Sequence, residues 1–293
     1  MSGNVDGLLL AIKNKIVIGQ LGLIPVKLYH KEKIYDAQWA CDLLVDPGYR
    51  KQGIGRLLFE AGMKRDAVSL GNNASPSADK LMIDIGFKPV PSGRTMVFPL
   101  DINHLLKWII PTKINFSIPL LSKFIQPYYT FKKKTLHQKS TNYNVCLWEE
   151  IIDLINKKQS EIKCPKIIHD IDFMNWRANG LEKFTQKVSA AKNNSKSFAV
   201  YSAFLPYFNV YEWNCSDRED LKSLLALMIN LAIESKASTL QMVANNSEEE
   251  KWLSSLGFIR SRNIERIIHY SKENILGDAD SFYFTLYDTD LNL

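Results

Sequence analysis

Between residues 37 and 61 the chain changes its hydrophobic period. Ala37-Gln38-Trp39-Ala40-Cys41-Asp42-Leu43-Leu44-Val45 reads as a strand, and Asp46-Pro47-Gly48 stops it. Proline cannot donate to a ladder, and a Pro-Gly pair favours a turn. From Gly53 onward Ile54, Leu57, Leu58 and Ala61 recur at i, i+3, i+4 and i+7, the spacing of one helix face. A strand that feeds a helix through a glycine-bearing loop needs a layered architecture, with helices packed on a sheet. The surrounding segments agree. Residues 8–12 and 16–28 read as strands around a Lys13-Asn14-Lys15 turn, and 67–70 as a short strand. Residues 75–85 read as a helix with Ser75 as N-cap and Pro76 at the first position; Gly86 ends it, and 88–100 returns as a strand. The expected fold class is α/β (α+β).

The second half repeats this grammar. Residues 197–204 and 207–213 read as strands. Leu221, Leu224, Leu225, Met228, Leu231 and Ala232 then sit at helical spacing behind a cap near Asp217. A strand over 238–243, a helix over 247–256 ended by Gly257, and strands over 258–270 and 282–287 follow. Asn72-Asn73, a helix and Gly86-Phe87 are echoed by Asn245-Asn246, a helix and Gly257-Phe258. The 293 residues suffice for two domains of about 150 residues each. The boundaries expected are 1–100 for the first domain, 101–145 for a connector and 146–293 for the second.

Charge separates the connector from the rest. The whole chain carries 37 basic and 31 acidic residues, a net +6. Residues 101–142 hold seven lysines, no arginine and the single acid Asp101, so this stretch accounts for the whole excess. A nucleic-acid binder would spread arginine and lysine over a face, so no nucleic-acid partner is expected. The stretch has two readings: a solvated connector, or a patch touching an anionic membrane surface through Leu105, Trp108, Ile109, Phe116, Leu120, Leu121 and Phe124 between the lysines. Pro111 and Pro119 argue against one continuous amphipathic helix. No apolar run reaches the roughly 18 residues of a membrane span. No export signal is seen, and Cys41, Cys146, Cys164 and Cys215 form no CxxC pair. The expected location is cytoplasmic, with a peripheral contact at the inner membrane face on the second reading. The five histidines show no ligand spacing, so no metal is expected.

The chemistry is concentrated in Val45-Asp46-Pro47-Gly48-Tyr49-Arg50-Lys51-Gln52-Gly53-Ile54-Gly55-Arg56. A strand, a tight turn, a glycine loop and a helix start aim unpaired backbone amides at one spot, and the helix dipole adds positive potential there. Such a place suits phosphate. Gly53 and Gly55 let a bulky anion approach the backbone, and Arg50, Lys51 and Arg56 add charge at the rim. The nucleotide-hydrolase loop is absent, since no Gly-Lys-Ser/Thr follows; the dinucleotide fingerprint fails because Leu58 replaces its third glycine. A third pattern, Arg/Gln-x-x-Gly-x-Gly/Ala after Val-x-Pro, is matched by Arg50-Lys51-Gln52-Gly53-Ile54-Gly55 and Val45-Asp46-Pro47.

On these residues the chain resembles the GNAT superfamily of acyl-CoA-dependent N-acyltransferases. The likeness covers residues 8–100, with 197–287 as a weaker copy whose Asn214–Asp220 turn has no glycine and is acidic. It implies two GNAT-like domains, each a mixed, mostly antiparallel sheet flanked by helices, the second degenerate. It implies acetyl-CoA as donor, with its diphosphate on Arg50, Lys51, Gln52, Gly53, Ile54, Gly55 and Arg56, and its pantetheine arm along Leu43, Leu44 and Val45. Asn73, in the Asn-bearing turn, belongs to the same donor site. The acceptor implied is a small-molecule amine that attacks the thioester directly. Asp42, inside the third strand, is the candidate general base, its alternative role being a hydrogen-bonded polar residue of the sheet. Met82 stands where many members carry a tyrosine acid, and Leu253 stands at the corresponding place in the second half. About seven residues precede the first strand, so the first domain is expected to be N-terminally short. Asp172-Phe173-Met174-Asn175-Trp176-Arg177 resembles an Asp-x-x-x-Trp-Arg signature of two-domain acyltransferase-like proteins of surface-polysaccharide pathways, which implies an amino sugar as acceptor; a helix anchored by Phe173 and Trp176 is the other reading. Two alternatives stay open beside transfer: a catalytically silent CoA-binding or scaffolding module, and a peptidoglycan-bridge-type aminoacyl transferase.

Overall fold

The computed structural model describes residues 7–72, 74–109, 118–137, 142–182, 187–194, 196–261, 266–277 and 279–288. Strand β1 (Leu8–Lys13) turns into β2 (Ile16–His30) through Asn14 and Lys15, both at positive φ, the backbone of a two-residue hairpin loop. Lys31 and Glu32 make a second such turn into β3 (Lys33–Val45), four residues longer at its start than expected. Neither residue is a usual turn former, which is why the sequence hides this hairpin. Helix α1 (Ile54–Gly62), strand β4 (Val68–Gly71) and helix α2 (Pro76–Asp84) follow. The Ser75 hydroxyl accepts from the Ala78 amide at 3.3 Å, with Pro76 in the first turn, as the sequence predicts.

Beyond α2 come β5 (Lys88–Pro91) and β6 (Arg94–Pro99), helices α3 (Ile102–Ile109) and α4 (Ile118–His137), and β7 (Asn144–Cys146). Helix α5 (Ile152–Glu161), β8 (Lys166–Ile167), helix α6 (Ile171–Glu182) and β9 (Ser189–Lys192) lead to the hairpin of β10 (Phe198–Phe204) and β11 (Tyr207–Asn214). The last elements are α7 (Arg218–Glu234), β12 (Thr239–Ala244), α8 (Ser247–Ser255), β13 (Ile259–Arg260) and β14 (Arg266–Ser271). No helix among the described residues is long and apolar enough to cross a membrane.

Two compact units result. One comprises Met1–Gly93, Ser160–Phe173 and Asn263–Phe284; the other comprises Arg94–Gln159, Met174–Arg262 and Thr285–Leu293. The first contains a seven-stranded sheet in the order β1-β2-β3-β4-β14-β5, with β8 beside β2; the second contains a seven-stranded sheet in the order β13-β6-β12-β11-β10-β9-β7. Both sheets are mixed. β3 runs parallel to β4, and β11 parallel to β12, while the other pairings are antiparallel. The run 88–100, read from sequence as one strand, breaks at Ser92-Gly93 into β5 and β6, which join different sheets. The run 258–270 likewise divides into β13 and β14.

Two further expectations are corrected. Residues 282–287 form no strand: Ser92 and Phe282 make an isolated bridge, as do Lys166 and Tyr283, and Leu286–Asp288 is a 3-10 turn. The Asp288 carboxylate accepts from the Thr285 amide at 2.8 Å and from its hydroxyl at 3.1 Å, which curls the chain away from a ladder. On α1, Leu57 is 61% exposed and Ala61 is exposed as well. The core face is instead Ile54, Leu58, Phe59 and Gly62, packed toward Leu21 and Leu23 of β2. Gly62 belongs to that face, 3.4 Å from Leu23 at its Cβ position, and a count of apolar residues does not see it. On α7 the expected face holds, with Leu221, Leu224, Leu225, Met228 and Ala232 fully buried.

Candidate functional site

The site begins with an irregularity in the hairpin of β2 and β3. Gly22 pairs with Cys41 and Gln20 with Leu44, which leaves Asp42 and Leu43 together opposite Leu21. This is a β-bulge, and Asp42 carries it at φ 50°. Aspartate is among the few L-residues that enter the left-handed region at modest cost. On the other edge of β3, the parallel ladder to β4 runs from Ala37↔Val68 to Trp39↔Leu70 and stops. From Ala40 to Val45 that edge pairs with no strand among the described residues, since β4 ends at Gly71.

The turn after β3 is built from its own side chains. The Asp46 carboxylate accepts from the Gly48 amide at 2.8 Å and closes a 3-10 turn over Pro47–Tyr49. The Arg50 guanidinium donates back to the Val45 carbonyl at 3.1 Å, and the Gln52 amide donates to the Gly48 carbonyl at 3.2 Å. Lys13 of β1 sits over the Tyr49 ring, 5.2 Å from its centroid. Lys51 at φ 62° and Gly53 at φ 82° then lift the chain into α1. Gly53 is the N-cap and offers no side chain to the helix. The Leu57 amide closes the first turn on the Gly53 carbonyl at 3.1 Å. The amides of Lys51, Gln52, Gly53, Ile54, Gly55 and Arg56 donate to no protein acceptor among the described residues.

These unpaired amides lie at the positive end of a helix, where backbone donors and the dipole favour an anion. No acidic residue lies in the first turn of α1. A Cβ on Gly53 would meet nothing within 4 Å, so the space in front of it is open. A Cβ on Gly55 would come within 3.3 Å of Leu81 and 3.5 Å of Leu43, so that glycine admits close packing from the ends of α2 and β3. Lys51, Gln52 and Arg56 are exposed, and Arg56 makes a surface pair with Glu60 at 3.6 Å.

Leu43, Leu44, Val45, Arg50, Lys51, Gln52, Gly53, Ile54, Gly55 and Arg56 thus lie along one continuous path from the bulge to the helix. Two point elsewhere with their side chains: Leu44 is exposed, and Ile54 is half-buried against β2, where it leaves 3.0 Å to a Cβ on Gly19. Asp42 is exposed at the bulge. Asn73 lies outside the described residues. Met82 is a core residue, 2% exposed among Leu58, Phe59 and Phe87. Its methyl occupies the place a Cβ on Gly71 would take, at 2.5 Å. Sequence reasoning passed over Gly71 and Trp39, which stand where the β3–β4 ladder ends; the one signal was the glycine itself at the end of a short apolar strand.

The second unit also has a bulged hairpin, a parallel ladder that stops short and a helix start, and there the helix start is capped by its own side chains. The ladder of β10 and β11 shifts register between Val200 and Tyr201, so Tyr211 is the extra residue of a bulge. The parallel ladder of β11 and β12 stops at Asn209↔Gln241. There the buried Trp213 indole donates to the Val243 carbonyl at 2.8 Å and bridges the two strands. At the start of α7 the Asp217 carboxylate accepts from the amides of Glu219 and Asp220 at 2.8 and 2.9 Å. The Asp220 carboxylate accepts from the Ser197 hydroxyl at 2.8 Å. Three acids at one helix start repel a phosphate and satisfy the dipole internally. Burial pushes the neighbouring Cys215 thiol up to about 12, so it stays protonated at neutral pH. A cavity of about 370 Å³ in this unit, lined by Leu100, Tyr129, Lys134 and Ile233 among others, includes none of the loop residues. No group of residues that could hold a metal ion occurs among the described residues.

Neither the models of known protein families nor the curated proteins include a match to this chain. Solved structures do match. The GCN5-related N-acetyltransferase of Kribbella flavida is 12% identical with a TM-score of 0.59, over 90% of this chain and 60% of that one. The GCN5-related N-acetyltransferase of Anabaena variabilis ATCC 29413 is 10% identical with a TM-score of 0.59, over 90% and 62%. The N-myristoyltransferase of Saccharomyces cerevisiae, solved with bound myristoylCoA, is 14% identical with a TM-score of 0.52, over 88% and 67%. This chain therefore spans about three-fifths of the length of the two N-acetyltransferases. At such identities the likeness is one of fold: the chain has the fold of the GCN5-related N-acetyltransferases, an α/β architecture of two mixed sheets flanked by helices.

Proposed function

We propose that this GNAT-fold chain is an acyl-CoA-dependent N-acyltransferase that moves an acetyl group from acetyl-CoA to a small primary amine. The observation that carries the reading is the contrast between two helix starts. α1 has a glycine cap, open space before it and unpaired amides; α7 is capped by its own carboxylate. The first suits the diphosphate of CoA and the second excludes it. In this reading Lys51–Arg56 grip the diphosphate through backbone amides, and Lys51 and Arg56 add side-chain charge. The free edge of β3 from Asp42 to Val45 supplies backbone groups for the two amides of the pantetheine arm. The unpaired edge of β3 beyond the end of β4 receives the thioester.

Transfer then needs positioning and proton handling. The amine nitrogen attacks the thioester carbonyl carbon, and the new C–N bond replaces the C–S bond. Asp42 takes the first proton from the ammonium before attack, directly or through water, and water takes the second from the positively charged nitrogen of the tetrahedral adduct. CoA leaves as a thiolate and is protonated by solvent, since the thioether of Met82 has no proton to give. The second unit acts as a non-binding copy, and the acceptor class is an amine such as that of an amino sugar.

Two measurements test this. Calorimetry compares acetyl-CoA with acetyl-pantetheine, which lacks the diphosphate; the expected result is binding of the first and a loss of roughly a hundredfold or more for the second. Thiol release from acetyl-CoA is then followed across a panel of primary amines, with Asp42→Asn expected to lower kcat and leave donor affinity unchanged. Equal binding of both thioesters would overturn the donor site. The core placement of Met82 favours a second reading, a CoA-binding module without turnover. Tight acetyl-CoA binding with no amine-dependent thiol release would select it.

A further inference from the structure

Helix α4 buries one side and displays another. Tyr129 and Leu136 are buried, and Ile125 packs beside them. Tyr129 meets Phe98 edge-on with ring centroids 5.9 Å apart, and Lys132 donates to the Ser255 carbonyl at 3.0 Å. The helix is thereby held in a fixed rotation. Leu121, Phe124, Tyr128 and Phe131 stand outside this contact, 39%, 76%, 50% and 67% exposed. At i, i+3, i+7 and i+10 they fall within about 80° of arc, since each residue turns the helix by about 100°. Three aromatic rings and a leucine in one exposed row exceed the scattered apolar residues of an ordinary surface.

Along the segment that carries the row the charge has one sign. From Ile102 to Trp148 there are seven lysines and no acidic residue. Lys123 and Lys134 are exposed on the same helix, and the Lys132 ammonium lies 5.7 Å from the Tyr128 ring centroid. A second copy of this chain would bring the same positive field against itself, which disfavours self-association through this face. The stretch has no arginine, the residue that usually leads phosphate-backbone recognition in nucleic-acid binders.

We propose that α4 is an interfacial docking helix for an anionic lipid bilayer. Phe124, Tyr128, Phe131 and Leu121 enter the boundary between headgroups and acyl chains, and the lysines face the headgroup phosphates and carboxylates. The two parts cooperate, because neither a short apolar row nor a few lysines alone holds a protein at a membrane. An acyltransferase so placed would meet acceptors carried on lipids, but the docking itself does not depend on the transferase reading.

The test is co-sedimentation of the full chain with vesicles, with no acetyl-CoA present. One set is phosphatidylcholine alone; the other contains about 30% phosphatidylserine. The expected result is binding to the anionic set, weak binding to the neutral set, and release at about 0.5 M NaCl. Phe124→Glu/Phe131→Glu should weaken binding by about tenfold or more. Lys123→Gln/Lys134→Gln should weaken it less and leave the row intact. All four positions are exposed, so circular dichroism and melting temperature should stay at wild-type values. Unchanged binding by the folded aromatic variant would overturn the proposal, as would equal binding to both vesicle sets. A dimer in sedimentation equilibrium that the aromatic variant abolishes would assign the face to a second copy instead. Preferential binding of a single-stranded oligonucleotide would assign it to nucleic acid. Because the readout uses no CoA, its failure leaves the donor-site reading untouched.

Discussion

Replacing Gly53 by alanine and, separately, by glutamate isolates what the loop does for an anion. Gly53 sits at φ 82°, where any L-residue is strained by about 1–2 kcal/mol. Both variants carry that strain, so both should melt lower than wild type by a similar amount. A Cβ at this position meets nothing within 4 Å, so neither side chain collides with the protein. The variants differ only in what they place in the open space. A carboxylate about 5 Å from a diphosphate costs about 1.7 kcal/mol per phosphate charge at an effective dielectric near 40. Two such charges cost about 3 kcal/mol, or roughly a hundredfold in Kd. Calorimetry with acetyl-CoA on all three proteins should therefore show a modest loss for Gly53→Ala and a further loss near a hundredfold for Gly53→Glu. If the two variants bind acetyl-CoA equally well, no anion lies in front of Gly53 and the cradle argument fails.

Other perturbations read other parts of the molecule. Gly71→Ala should destabilise the first unit by about 1–3 kcal/mol in urea melts, because its Cβ needs the space of the Met82 methyl; a second change, Met82→Ala, should cancel part of that loss, and strict additivity would disprove the contact. Asp217→Ala should cost about 1 kcal/mol by removing the caps on Glu219 and Asp220, with acetyl-CoA affinity unchanged; a gain in affinity would mean that α7 hides a second donor site. Burial, with Lys88 nearby, pushes the His269 pKa down to about 4 from its ordinary 6.5. The unfolded chain takes up this proton first as pH falls, so stability is full above about pH 6.5 and declines toward pH 4, by about 3 kcal/mol. His269→Leu should flatten that part of the stability profile, and an unaltered acid slope would show that His269 is not its source.

The local features of the loop between β3 and α1 are legible in the chain because they act over a few residues. Pro47 and Gly48 end β3, Gly53 takes a left-handed conformation that strains other residues, and Ser75 with Pro76 starts α2. Caps, turns and left-handed glycines depend on near neighbours only, so their residue types announce them. The apolar face of α7 is equally readable, since its spacing matches the helix period over four turns. What the chain conceals are choices among distant partners. Residues 88–91 and 94–99 are both plausible strand, and nothing in them says that they join different sheets. The bulge at Asp42-Leu43 exists because β2 has one residue fewer in that register, a relation between two strands. The end of the β3–β4 ladder after Trp39, and the indole of Trp213 that bridges β11 and β12 in the second unit, arise in the same way. The glycine-capped helix start is thus written in the sequence, whereas the unpaired edge of β3 beside it exists only once the strands have chosen their neighbours, because ladder hydrogen bonds join backbone groups that every residue but proline carries alike.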